Sequence, residues 1–290
     1  MKKIRATFGP PHGHWVGDGF PVRSLFSYDR MGARNVSPFL LLDYAGPIEF
    51  GPARRPRGVG QHPHRGFETV TLVYRGELEH RDSGGGGGHI GEGDVQWMTA
   101  GDGIVHEELH SEAFTASGGV LEMVQLWVNL PAEHKRAAPA YQTLRAADFP
   151  VVALDAHGSR LRRIAGEYAD RRGPARTFTP VNVWDVGLVR DSDVFLAVPD
   201  GHTTLAVVLS GTVRINDAEV ARHAELVCFE REGGEIRLEA NGDARLLVLT
   251  GEPIEEPVVG RGPFVMNTES EIEEAIADYS RGTFGALEPA

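Results

Sequence analysis

The chain has 290 residues, of which 41% are hydrophobic, and its 29 Lys and Arg against 41 Asp and Glu give a formal net charge of −12. This is enough apolar chain for one large or two mid-sized domains and excludes global disorder, while the negative charge argues against binding to nucleic acid or an anionic membrane. The single cysteine, Cys228, cannot form an internal disulfide, as expected of a protein in a reducing compartment.

The chain shows no export or membrane signal. The N-terminus has a basic start, MKKIR, without the apolar run that follows it in a signal peptide. The longest apolar runs, FLLL at residues 39–42 and LLVL at residues 246–249, are far shorter than the roughly 20 residues that a membrane helix needs. We therefore expect a cytoplasmic monomer that has neither a membrane nor a nucleic acid as a direct partner.

Short runs rich in Val, Leu, Thr and aromatic residues, separated by Gly and Pro, dominate the chain. Residues 68–74 and 121–128 show the period of two that is typical of strands. Turn residues recur at intervals of about 8 to 12 residues, the spacing of a sandwich or barrel. The pattern predicts an all-β fold.

One unit of strand, glycine turn and strand occurs twice. Residues 72–80, LVYRGELEH, align with residues 207–215, VVLSGTVRI, and residues 93–103 align more weakly with residues 224–234. Two copies of one β-unit predict a duplicated barrel.

The polar, Arg-rich stretch at residues 162–174 is the predicted boundary between the two copies. We therefore predict an N-terminal barrel of residues 1–165 and a C-terminal barrel of residues 166–290 that ends in a helix. Thr268 and Glu271 form a capping box at the start of this helix. The residues expected on its apolar face are Ile272, Ile276 and Tyr279.

Two motifs carry metal-binding chemistry, namely HPH, which starts at His62 before a strand, and HEE, which starts at His106 after a glycine-rich turn. In an extended segment, residues two apart point to the same side, so His62 and His64 can face one cavity, as can His106 and Glu108. A single His-x-His pair is as often a loop feature as a ligand pair, but two such motifs favour a site. Three neutral imidazoles and a carboxylate suit Fe(II), Mn, Ni, Co or Zn rather than Ca or Mg.

Long stretches around both motifs carry a family resemblance. They are HPHRGFETVTLVYRGELEHRDS at residues 62–83 and GDVQWMTAGDGIVHEE at residues 93–108. The matching sequence continues in three further segments, SPFLLLDYAGP at residues 37–47, VQLWVNLP at residues 124–131 and GEPIEEPVVGRGPFVMNT at residues 251–268. Over nearly the whole chain, the sequence closely resembles the pirin family of bicupin proteins.

The resemblance implies two stacked cupin barrels of the jelly-roll type, with a C-terminal helix packed back on the body. It also implies a single metal in the N-terminal barrel, usually iron in pirins, so we expect Fe(II), with Mn, Ni, Co or Zn as alternatives. The residues that match the pirin ligands are His62, His64, His106 and Glu108.

Three carboxylates compete for the fourth ligand position. A standard cupin would use Glu68 of the first motif, whereas pirins use the second motif, so the resemblance favours Glu108 and leaves Glu68 a supporting or structural role. Strand alternation would turn Glu107 away from the cavity, unless the register is off by one.

The second copy provides an internal comparison. Aligning the glycine turns of the two copies places Ala197 and Pro199 at the positions of the first-motif histidines, and Arg237 at the position of His106. Only Glu239 keeps a ligand type. Because a cation repels a metal ion, we predict a C-terminal barrel without metal.

Two classes of function fit these residues. The resemblance implies an activity like that of quercetin 2,3-dioxygenases, in which O₂ cleaves the central ring of a flavonol and Glu108 is both a ligand and the general base. The alternative is a regulatory protein whose metal senses redox state or metal occupancy and which acts through a protein partner. A metal-holding protein without a present substrate is a third possibility.

A cavity distinguishes the enzyme from the sensor. An oxygenase needs an apolar pocket of a few hundred Å³ beside the metal, with a route to solvent. We expect the small residues of the loop at residues 101–103 to leave this space over His106.

Overall fold

The computed structural model describes residues 1–287, which consist mostly of β-strands. The strands of the first half are β1 (Ile4–Phe8), β2 (His14–Val16), β3 (Phe20–Ser27), β4 (Phe39–Phe50), β5 (Gly58–His64), β6 (Phe67–Arg75), β7 (Leu78–Asp82), β8 (Gly87–Ile90), β9 (Val95–Thr99), β10 (Ile104–His110), β11 (Gly119–Asn129) and β12 (Ala140–Leu144). The remaining strands are β13 (Val151–Ala153), β14 (Arg160–Ala165), β15 (Glu167–Tyr168), β16 (Arg171–Arg172), β17 (Val181–Leu188), β18 (Ser192–Ala197), β19 (Thr203–Ser210), β20 (Thr212–Ile215), β21 (Glu219–Arg222), β22 (Leu226–Phe229), β23 (Glu235–Ala240), β24 (Ala244–Gly251), β25 (Val259–Arg261) and β26 (Phe264–Met266).

The helices are few and short. They are α1 (Tyr28–Met31), α2 (Ala33–Val36), α3 (Glu112–Ser117) and α4 (Glu269–Ser280), with two 3₁₀ turns at Ala132–His134 and Ala146–Asp148. None of the helices in the described part of the chain has the length and apolar character needed to cross a membrane. The all-β class with one short C-terminal helix is therefore confirmed.

The chain divides into two compact units, which we call the first and the second barrel. The first barrel comprises residues 13–24, 39–146 and 255–287. The second barrel comprises residues 1–12, 25–38 and 147–254. Each contains one seven-stranded and one four-stranded sheet.

The sheets of the two barrels repeat one topology. In the first barrel the strand orders are β12-β9-β6-β11-β4-β3-β2 and β5-β10-β7-β8. In the second they are β1-β22-β19-β24-β17-β14-β13 and β18-β23-β20-β21. The aligned segments at residues 72–80 and 207–215 lie on corresponding pairs of strands, β6 with β7 and β19 with β20. This confirms the predicted duplication.

The compact units differ from the two contiguous domains predicted from the sequence. The N-terminal strand β1 pairs with β22 and so covers an edge of the second barrel, whose backbone groups would otherwise lack partners. Strand β14 pairs with β17, also in the second barrel. The segment from Glu255, including α4, belongs to the first barrel. The division at residues 165 and 166 stays a prediction.

Two buried basic side chains, Lys135 and Arg65, attach the C-terminal segment to the first barrel. The Nζ of Lys135 donates hydrogen bonds to the carbonyl oxygens of Gly66 and Val265, each at 2.8 Å. Arg65 donates to the carboxylate of Asp278 on α4 at 2.7 Å. An unpaired buried cation would cost several kcal/mol, at about the scale of breaking a buried ion pair, so these contacts fix where the segment lies.

Helix α4 begins as predicted but buries a different face. The hydroxyl of the N-cap Thr268 accepts a hydrogen bond from the backbone N–H of Glu271. The buried residues are Ile272, Ala275 and Asp278. Ile276 and Tyr279, which we expected to be buried, are 37% and 41% exposed. The ion pair between Asp278 and the barrel favours this face, and the sequence pattern of the helix alone does not contain that contact.

Candidate metal centre

Three neighbouring strands of the four-stranded sheet each carry two polar side chains spaced two residues apart. These pairs are His62 and His64 on β5, His106 and Glu108 on β10, and His80 and Asp82 on β7. In register, His106 lies opposite His62 on one side and Asp82 on the other. Because alternate residues share a face of the sheet and neighbouring strands lie about 4.8 Å apart, the side chains converge on the same region.

Three histidines form the tightest group. The ring centre of His106 lies 4.2 Å from that of His62 and 4.9 Å from that of His64. One ring nitrogen from each of the three lies within 4.8 Å of the others. Burial lowers the pKa of His64 and of His106 well below 6.5, so these imidazoles are neutral, which is the form that binds a metal.

Hydrogen bonds to the far side of the rings direct the lone pairs inward. The Nδ1 of His62 donates to the carbonyl of Gly60 at 2.8 Å, and the Nδ1 of His64 donates to that of Pro263 at 3.4 Å. This leaves Nε2 of both rings unprotonated. The Nε2 of His106 is buried and has no hydrogen-bond partner within residues 1–287. A metal ion would satisfy this atom, so the donor set fits a divalent transition metal.

Glu108 belongs to a second, overlapping group. Its carboxylate lies with His80 and His106 in a set whose ligand atoms are within 4.8 Å of one another. The hydroxyl of Thr71 and the amide of Gln96 donate to Oε1 of Glu108, at 2.9 and 2.6 Å. The four predicted ligands thus fall into two groups that share His106. Because both donors lie on Oε1, Oε2 is the oxygen that can reach a metal or accept a substrate proton.

His80 and Asp82 are the residues that sequence reasoning missed. The Nε2 of His80 donates to Oδ2 of Asp82 at 3.1 Å, so its Nδ1 can accept from Nδ1 of His106, 3.4 Å away. Burial raises the pKa of Asp82, but the hydrogen bonds from His80 and from the N–H groups of Gly86 and Gly84 outweigh it and hold this pKa below its usual value. The signal was present, because H-x-D has the same spacing as H-x-H and H-x-E.

A cavity of about 180 Å³ opens beside this cluster. Its lining is mostly apolar and includes Phe20 and Trp127, with Glu108 and the first-motif histidines on one side. Asp43 and Gln125 are further polar residues of the lining. The cavity is therefore apolar with polar groups at a few positions, as expected of a small-molecule site, although it is smaller than the few hundred Å³ that we expected.

The expectation that the loop at residues 101–103 leaves space over His106 is wrong. A Cβ atom on Gly103 would lie 2.3 Å from the ring of Phe284, and one on Gly101 would lie 2.0 Å from the carbonyl oxygen of Ala137. Both glycines have positive φ angles, +50° and +129° for Gly101 and Gly103. They allow close approach of other groups rather than leaving a void.

Comparison with known proteins identifies the family. Residues 19–128 match the Pirin family, and residues 183–285 match the Pirin C-terminal cupin domain. The chain belongs to the pirin family. The cupin nature of the duplicated barrels is therefore confirmed as well.

Relatives of this pirin align over nearly its whole length. It is 57% identical over 284 residues to a Pseudomonas aeruginosa protein named "Putative quercetin 2,3-dioxygenase", covering 98% of this chain and 99% of the relative. It is 37% identical over 273 residues to mouse pirin, covering 92% and 90% of the two chains. The crystal structure of quercetin 2,3-dioxygenase from Acinetobacter baumannii is 57% identical with a TM-score of 0.96, covering 99% of this chain and 100% of that one.

The second barrel of this pirin has an apolar interior where the first has its ligands. Strand β23 corresponds to β10, and its inward residues are Ile236 and Leu238, both in the hydrophobic core. Arg237 lies on the other face and forms an ion pair with Asp193 at 2.7 Å. Placing Arg237 at the position of His106 was therefore wrong by one residue, because a shift of one residue reverses the face of a strand. The absence of metal from this barrel stays a prediction.

The two competing carboxylates of this pirin have other partners. Glu107 accepts a hydrogen bond from Arg81 at 2.9 Å and, one residue from Glu108, points to the opposite face of β10. Glu68 accepts from the hydroxyl of Thr99 at 2.7 Å. Glu68 lies three residues before Thr71 on β6, so the two side chains are on opposite faces of the strand and Glu68 faces away from the metal cluster. Neither belongs to the groups of ligand atoms found within residues 1–287.

Glu68→Gln should remove a pH-dependent penalty on stability. Burial raises the pKa of Glu68 from 4.5 to about 7, so the folded chain binds a proton that the unfolded chain releases. Its contribution to stability therefore falls as pH rises from 4.5 to 7, by about 3 kcal/mol in total. Chemical denaturation of both proteins at several pH values should show the variant gaining stability relative to wild type over this range. A constant difference would contradict the assignment.

His80→Ala should weaken metal binding in this pirin without changing a ligand. Loss of the acceptor beside Nδ1 of His106 frees that ring to change tautomer, and partners of this kind affect metal affinity about 10- to 100-fold. His80→Asn keeps an acceptor near the same place and should bind metal more tightly than His80→Ala. Calorimetric titration of the metal-free proteins with Mn²⁺ measures both. Equal affinities for wild type and His80→Ala would contradict this role.

Proposed function

We propose that this protein is a metal-dependent dioxygenase that cleaves flavonols such as quercetin, with one divalent metal ion, Fe(II), held by His62, His64, His106 and Glu108. The observation that carries the proposal is that His62 and His64, two of the three clustered histidines, line a mostly apolar cavity together with Glu108. Four protein ligands leave positions of a six-coordinate ion open to substrate, as in non-haem Fe(II) sites. The names of the two relatives at 57% identity support the same reaction class.

The chain's own residues supply a base and an enclosed surface. A bound metal would supply Lewis acidity that lowers the pKa of the flavonol 3-hydroxyl. Glu108 accepts the proton of that hydroxyl on its carboxylate, which Thr71 and Gln96 hold in place by hydrogen bonds to Oε1. Trp127 and Phe20 line the cavity, where they contact the flat ring, exclude water and restrict its orientation.

Oxygen uptake tests the proposal. The metal-free protein would be loaded without O₂ with Fe(II), Mn, Ni or Co, and then mixed with aerated solutions of flavonols. The matched control substrate is the corresponding flavone, which lacks the 3-hydroxyl. We expect uptake that requires both the metal and the 3-hydroxyl. No uptake with any metal, on flavonols or on other enolic compounds, would contradict the enzyme and favour a regulatory protein that acts through a protein partner.

A further inference from the structure

A further carboxylate lines the cavity and belongs to neither of the two groups of candidate metal ligands. Asp43 on β4 lines it together with the first-motif histidines and is only 9% exposed. The Ser24 hydroxyl donates to its Oδ1 at 2.5 Å, which leaves Oδ2 to accept from a ligand. Burial raises the pKa of Asp43 above its usual value. Ser24 and the nearby His14 partly favour the ionised carboxylate, and a ligand that donates a hydrogen bond to Oδ2 would offset more of the cost of burying it in a mostly apolar cavity.

The sheet sets the distance from Asp43 to the metal cluster. Thr71 on β6 lies opposite Gln125 on β11, and Gln125 lies opposite Asp43 on β4. These three residues therefore form one row on one face, with Asp43 two strands from Thr71. Two strand spacings are about 10 Å. Since Thr71 contacts Glu108, the row spans the cavity from the proposed base to Asp43.

The size of the cavity limits what fits between these two ends. An apolar cavity of about 150 Å³ holds one benzene molecule. The 180 Å³ here therefore accommodates about one six-membered ring with its substituents. A larger substrate must leave its remaining rings outside this volume.

We propose that Asp43 determines specificity by accepting, at Oδ2, a hydrogen bond from a hydroxyl on the enclosed ring, at the edge remote from the oxygens by which the ligand binds the metal. The substrate class is then an enolic or phenolic compound whose enclosed ring carries a hydroxyl donor at its far edge. This rests on the proposed function and adds to it the substituent that the site selects.

The test compares ligands that differ by one hydroxyl, using metal-loaded protein without O₂. One set is 3-hydroxyflavone and its analogues with a single added hydroxyl at the 7 or the 4′ position. The other is 3-hydroxy-4-pyranone and its 6-hydroxymethyl derivative, which are single-ring chelators. Dissociation constants come from the absorption change of the ligand on binding. The variants are Asp43→Leu, which removes the acceptor, and Asp43→Asn, which keeps an uncharged one.

We expect at least one hydroxylated ligand to bind wild type about tenfold or more tightly than its partner, as for a hydrogen bond to a charged group. Asp43→Leu should abolish this preference, which is a ratio of two dissociation constants measured on the same variant and is therefore independent of any change in affinity common to both ligands, and Asp43→Asn should lie between. Equal binding within every pair, or a preference that survives in Asp43→Leu, would overturn the inference even if flavonols are cleaved. If only the pyranone pair binds, with the expected preference, the role of Asp43 stands and the flavonol function fails. If neither series of ligands binds, both the role of Asp43 and the flavonol function are wrong.

Discussion

Glu108→Gln is expected to lower flavonol turnover at least about a hundredfold and to weaken metal binding. The amide keeps the size and an oxygen ligand but removes the negative charge and the basicity, and the loss of one general base costs about 10²- to 10⁴-fold. Thr71 and Gln96 both donate hydrogen bonds to Oε1 of Glu108. In the variant, the NH₂ of the new amide competes with its oxygen for this position, which accepts hydrogen bonds in wild type. Steady-state oxygen uptake and calorimetric metal titration measure the two effects.

Glu68→Gln and Glu107→Gln are the matched controls for this variant. Glu68 is paired with Thr99 and Glu107 with Arg81, and neither faces the metal cluster, so both should keep wild-type metal affinity and most of the turnover. If Glu68→Gln abolished metal binding while Glu108→Gln left it intact, the protein would use the ordinary cupin carboxylate and our ligand assignment would be wrong.

The double variant His62→Ala, His64→Ala should lose its metal. Wild type is expected to bind one equivalent per chain, because the first barrel brings ligands together while the second places Ile236 and Leu238 at the corresponding inward positions. Removing two of three imidazoles leaves too few ligands to retain the ion through dialysis. His202→Ala, in the second barrel, is the control and should retain one equivalent.

Elemental analysis after dialysis measures the number of metal ions that each protein retains per chain. Two equivalents in wild type would show that the second barrel binds metal, against our prediction. Metal retained by the double variant would show that His106 and Glu108 hold the ion with other residues, of which His80 is the nearest candidate.

The parts of this structure that the sequence predicts are the local ones. Alternation of apolar residues predicts strands, and the repeated turn predicts two copies of one barrel, as the matching sheet orders confirm. Spacing by two residues places His62 with His64 and His106 with Glu108, because that relation depends only on strand geometry. The capping box of α4 is equally local.

The parts that the sequence does not predict depend on contacts between distant segments. His80 supports His106 because β7 lies beside β10, which no local pattern specifies. The face of α4 follows from an ion pair with Arg65, over 200 residues away. Arg237 was misplaced because a turn alignment does not fix register to one residue, and one residue decides between the interior and the surface of a barrel.

Isotope labelling shows whether the first barrel is a metal-dependent dioxygenase centre. Fe(II)-loaded protein would be mixed with quercetin under ¹⁸O₂, and the ring-opened product analysed by mass spectrometry. We expect two labelled oxygen atoms in the product of wild type, with little or no product from Glu108→Gln or from the double histidine variant. Quercetin left intact by metal-loaded wild type, or converted equally well by the double variant, would contradict this expectation.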